Sequence, residues 1–183
     1  MRLGGRKAKS PCGAAAARLY DWCVAKARDP ALYLAMGAPD TVEGRFELLT
    51  LHAILVIDRL RGTPGAEEIG QALFDVYLSN LDGALREMGV GDLAMGRRMR
   101  KLGEVFYGRA LAYEAAFNAL PDLEALESLI ARTVLAEDPG APTAPLADYV
   151  AGCRRGLADC DGDLLLVGEI ATPARRLGAS LAK

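Results

Sequence analysis

The chain has 183 residues, enough for one domain with a sizeable core. Its hydrophobic content is 51%, and a formal net charge of −2 argues against a general nucleic-acid binder, with no DNA partner implied. The charge is uneven, because residues 1–13 carry Arg2, Arg6, Lys7 and Lys9 and no acid. That reads as a basic, disordered arm able to touch anionic lipid or RNA, followed by a single helical domain over 14–183.

No secretory signal is seen: the alanine run Ala14–Ala17 is short and charge follows at Arg18 and Asp21. The most apolar run, Leu48–Ile57, is too short to cross about 30 Å of hydrocarbon as a helix. A soluble, intracellular protein is the expectation. Cys12, Cys23, Cys153 and Cys160 form no C-x-x-C, and His52 is the single histidine. Neither a zinc site nor H-E-x-x-H chemistry is available, and no serine sits in G-x-S-x-G. No metal, cofactor or catalytic group is expected.

In chain order the pattern is helical with Gly and Pro punctuation. Ala14–Arg28 is an alanine-rich helix that ends at Asp29-Pro30, and a short turn ends at Gly37. Asp40 and Glu43 are placed as N-cap and N3 of a helix over Thr41–Arg61. That helix is apolar nearly all round, so it belongs inside a bundle, and His52 in its middle reads as a buried, hydrogen-bonded imidazole. Thr63 and Pro64 suit the N-cap and N1 of a helix running to about Met88, on which Asp82 and Arg86 form an i,i+4 pair.

Gly89-Val90-Gly91-Asp92-Leu93-Ala94 imitates a G-x-G-x-x-A dinucleotide fingerprint. The segment before it has helical rather than alternating spacing, so the glycines make a corner between helices, with Gly89 at C′ and Asp92 as the next N-cap. The following helix runs to about Leu120. Met95, Met99, Leu102, Phe106, Tyr113 and Phe117 form its core stripe, and Arg97, Arg98, Arg100 and Lys101 form a basic face suited to a partner. Arg109 lies beside the stripe and needs a carboxylate, expected from Asp82, Glu87 or Asp40. Helices follow over Leu123 to about Leu135 and Leu146–Asp159, separated by the proline loop Glu137–Pro145. The run Leu164–Val167 reads equally as a strand or a docking turn. The class is all-α, a single bundle-like domain of about six to eight helices.

The motifs P-D-T-x-x-G-R-F-E (Pro39–Glu47), Leu51-His52, Leu73–Asp75, L-R-E-M-G-V-G-D-L (Leu85–Leu93) and F-Y-G-R (Phe106–Arg109) occur in an informative order. Together they resemble the ubiquinol–cytochrome c chaperone family, from Ala27 to about Ala116 and more weakly over 122–183. The resemblance implies an all-α, non-enzymatic assembly factor of the cytochrome bc1 complex that binds newly made cytochrome b. It also implies a small partner protein and, in mitochondrial members, a ribosome contact, while the basic face Arg97–Lys101 and the arm Arg2–Lys9 suit an anionic membrane surface. For a bacterial relative that means the inner face of the cytoplasmic membrane. Asp40, Arg45, His52, Asp82, Arg86, Glu87, Asp92 and Arg109 are then a structural polar brace or a partner contact.

Overall fold

The computed structural model describes residues 10–170. Eight helices follow one another there: α1 (Pro11–Ala27), α2 (Pro30–Leu34), α3 (Val42–Arg61), α4 (Glu67–Glu87), α5 (Asp92–Asn118), α6 (Glu124–Ala131), α7 (Ala144–Ala158) and α8 (Gly162–Leu166). The all-α class therefore holds for the described residues. α1 starts three residues earlier than the alanine run, because Ser10 Oγ accepts from the Gly13 amide at 3.0 Å and Pro11 follows as the first helical residue. The remainder of the expected arm, residues 1–9, lies outside the described residues, as does everything after Ile170.

Three helix starts differ from expectation. At α3 the cap is Thr41, not Asp40: Thr41 is extended and its Oγ1 accepts from Gly44 N at 3.0 Å. The chain turns so tightly there that a Cβ on Gly44 would stand 2.2 Å from the Pro39 carbonyl oxygen. Asp40 is left to pair with Arg45 at 2.6 Å. At α4 the start is Glu67, and Thr63 is no cap. It is buried and accepts from Arg59, whose guanidinium also donates to the carbonyls of Leu157 (2.9 Å) and Cys160 (2.8 Å), clamping the end of α3 to the end of α7. At α5 the cap is Gly91, and Asp92 instead holds Arg86 across the corner at 2.5 Å. The corner itself is as read, with Gly89 at φ +84°.

α6 is shorter than expected and ends at Ala131; Val134 and Leu135 are buried in the turns beyond it. The ambiguous run Leu164–Val167 is largely α8, with Leu165 buried. Gly168 then lies so close to α1 that a Cβ would meet the Ala15 carbonyl at 2.5 Å.

The core is built around α3, which packs against α1, α4, α5 and α7. From Thr50 to Val56 every residue of α3 is buried. Its polar groups are all engaged: Thr50 Oγ1 donates to Phe46 O at 2.8 Å and bonds Tyr77 Oη at 2.7 Å. His52 Nδ1 lies 2.7 Å from Leu48 O and Nε2 lies 2.8 Å from Tyr149 Oη. The Nδ1 contact requires a proton on that nitrogen, so Nε2 accepts from the tyrosine. Burial pushes the imidazole pKa down to about 4.

Two stability measurements test this packing. Gly44→Ala costs about 1–3 kcal/mol in urea unfolding because backbone has to move, whereas Gly156→Ala, with nothing near its Cβ position, gains about 0.5–1 kcal/mol. For His52 the unfolded state binds the extra proton between its ordinary pKa and the folded value of about 4. Stability therefore falls as pH drops through that window, by up to about 3 kcal/mol. The difference between wild type and His52→Gln in unfolding midpoint against pH isolates this term.

Candidate functional site

α4 and α5 have 21 and 27 residues, or about 32 and 40 Å, and outrun the helices that cover them. On α4 the last buried residue is Tyr77, and on α5 only Met95 is buried before Phe106. The distal half of this hairpin stands off the core. Between it, α1, α2, the start of α3 and the turn after α6 runs a groove of about 980 Å³.

The groove is mainly apolar, lined by Val42, Phe46 and Leu49 from α3, Leu81, Leu85 and Met88 from α4 and its C-cap, Leu102 and Val105 from α5, and Val134 beyond α6. Val42 and Met88 are 61% and 64% exposed, unusual for large apolar side chains, and Leu93 at the hairpin tip is fully exposed. Such a surface is suited to covering an apolar segment of another molecule.

Arg109 lies in the wall of this groove and is held by Glu47 of α3. Nε donates to Oε2 at 3.0 Å and Nη2 to Oε1 at 2.8 Å, with the side chains 29% and 13% exposed. The hydrogen bond to Glu47 holds the guanidinium pKa above its ordinary value. The partner is thus none of Asp82, Glu87 and Asp40. Arg109 sits at the level of the core, where α3 is its neighbour; Asp40 is taken by Arg45, and Asp82 by Arg86 at 2.8 Å. Glu47 lies in the motif Pro39–Glu47, between Phe46 and Leu48, and a carboxylate inside an apolar helix was the available signal.

The expected brace is four separate units. Asp40–Arg45 sits at the exposed start of α3, with Arg45 on the groove rim, and Glu47–Arg109 joins α3 to α5. Asp82–Arg86–Asp92 pins the corner, and His52–Tyr149 is interior. Glu87 is exposed and lines the groove. Arg97, Arg98, Arg100 and Lys101 are all exposed on the projecting half of α5, and none makes an ion pair with a described residue. They stand beside the groove residues Leu102 and Val105.

Among the described residues no three His, Cys, Asp or Glu side chains gather as a metal site, and no helix is long and apolar enough to cross a membrane. Among the described residues the cysteines form no disulfide with one another, and burial raises the pKa of Cys23, Cys153 and Cys160. A second, smaller hollow of about 360 Å³ lies between α3, α5 and the first half of α4.

Arg109→Met leaves Glu47 charged and half-enclosed, and lowers the unfolding free energy by about 2 kcal/mol. The double variant Glu47→Gln/Arg109→Met recovers at least half of that loss in the same urea titration, since no unpaired charge is left inside.

The family model described as ubiquinol-cytochrome C chaperone matches residues 34–173, which takes in α3 to α8 and runs well past Ala116. Among solved structures, the Cbp3 homolog from Brucella abortus is similar, with 35% sequence identity and a TM-score of 0.79 over 88% of this chain and 90% of that one. Curated protein sequences give no match. A family model covering most of the chain and a solved relative of nearly equal extent agree: the chain belongs to the ubiquinol–cytochrome c chaperone family.

Proposed function

We propose that this chain is a non-enzymatic assembly chaperone of the cytochrome bc1 complex, and that its client is newly made cytochrome b. The observation that carries the reading is the apolar groove of about 980 Å³ left by the projecting hairpin. An unassembled membrane protein exposes apolar helix faces and loops that later meet partner subunits. A groove walled by Val42, Phe46, Leu81, Leu85 and Val105 covers such a segment, in the way amphipathic helices lie in grooves elsewhere. Each large apolar client side chain that is fully buried contributes about 1.5–3 kcal/mol before the costs of association.

The basic face supports a peripheral position on the inner side of the cytoplasmic membrane. Arg97, Arg98, Arg100 and Lys101 carry exposed charge without ion-pair partners among the described residues, beside the groove. Near anionic lipid each contributes about 1 kcal/mol. The bases steer the chaperone to the surface where cytochrome b emerges, and the groove does the selecting. A second reading, a lipid- or RNA-binding module without a cytochrome client, draws on the same four bases.

Two measurements separate the readings. Capture of the tagged chain from mildly cross-linked cells is expected to enrich cytochrome b without the other subunits of the mature complex, and Leu81→Asp/Val105→Asp removes that enrichment while helicity persists. Charge reversal at Arg97, Arg98, Arg100 and Lys101 is expected to abolish flotation with anionic liposomes at low salt. Liposome or RNA recovery with no cytochrome b in either chain would favour the second reading.

A further inference from the structure

The smaller hollow differs in character from the client groove. Its floor is aromatic, built from Phe74 of α4 and Phe106, Tyr107 and Phe117 of α5. The Phe74 ring centroid lies 4.8 Å from that of Phe106 and 5.2 Å from that of Tyr107, and Tyr107 is 58% exposed. Its rim carries three carboxylates, Asp58, Glu67 and Glu114, and one base, Arg61. Arg154 and Arg61 engage Asp58 and Glu114, but Glu67 has no ion pair with a described residue. An aromatic floor under free carboxylate is a site for cations, which sit on ring faces while pairing at the rim.

The chain carries such cations close by. Cys12, in the first turn of α1, donates its thiol to Glu68 Oε2 at 3.6 Å, so the start of α1 stands beside the start of α4, where the hollow opens at Ala66 and Glu67. Residues 1–9 precede that point and include Arg2, Arg6, Lys7 and Lys9 with no acid. Nine residues span at most about 30 Å, enough to run from the start of α4 past Phe74, about 11 Å along the helix at 1.5 Å per residue. Length, point of departure and charge all match.

We propose that the basic segment Met1–Lys9 is the occupant of this hollow, its arginines and lysines lying over Phe74 and Tyr107 and pairing with Glu67 and Glu68. The hollow is thus an intramolecular dock, separate from the client groove, and independent of what the groove binds.

The test uses the full chain labelled with a small dye at Arg2→Cys, in a background of Cys12→Ser and Cys153→Ser, since Cys23 and Cys160 are buried. Tyr107→Trp places a contact quencher in the hollow. The expected result is loss of dye fluorescence relative to the labelled parent with Tyr107 intact. That loss is reversed by high salt and by Glu67→Lys/Glu68→Lys, and unchanged by an excess of unlabelled protein. Circular dichroism confirms that each variant is folded. Fluorescence equal to the parent, quenching indifferent to the Glu67/Glu68 reversal, or quenching abolished by unlabelled protein would overturn the proposal. The last outcome would assign the hollow to a second chain.

Discussion

The structure depends on enclosing α3 on all sides. A helix whose residues from Thr50 to Val56 are all buried leaves no face for water, so α1, α4, α5 and α7 have to surround it. Burial on that scale is favourable only if the enclosed polar groups are satisfied. Thr50 meets Tyr77, and His52 meets Leu48 and Tyr149, which ties α3 to α4 and to α7 by direction as well as by area. Arg59 closes the far end by donating to carbonyls at the end of α7. Histidine here is a neutral structural element, held uncharged by its surroundings.

The groove follows from that core by a mismatch of length. α3 and its neighbours are long enough to bury one another, but α4 and α5 continue past the point where any helix remains to cover them. At the corner Gly89 supplies the positive φ, and Arg86 pairs with Asp82 and Asp92 on either side of the turn. The Glu47–Arg109 pair lies where core gives way to groove.

Much of the fold is legible in the sequence because helical period, Pro and Gly punctuation and the all-apolar stretch Leu48–Ile57 act locally. The interior His52, the glycine corner and the Asp82–Arg86 pair follow from such signals. Cap identity is less legible: Asp40, Thr41 and Thr63 are all competent caps, and the choice is decided by the approach of Pro39 to Gly44 and by the demand of Arg59 for an acceptor. The partner of Arg109 depends on which helix lies opposite α5, a three-dimensional fact that spacing along one helix does not contain. For the same reason the groove is invisible to periodicity. Leu81, Leu85, Leu102 and Val105 carry the same apolar pattern as core residues, and only the relative lengths of the packed helices leave them half-buried along the groove.

Family membership and geometry meet in one claim, that the hairpin groove is where the client lies. It is tested most directly by placing a photo-reactive amino acid at Leu85, inside the groove, and in a second chain at Asp163 on α8, outside it, then irradiating cells that are synthesising cytochrome b. The account predicts a cytochrome b adduct from position 85 and none from position 163. Adducts from position 163 with none from position 85 would place the client elsewhere and contradict it.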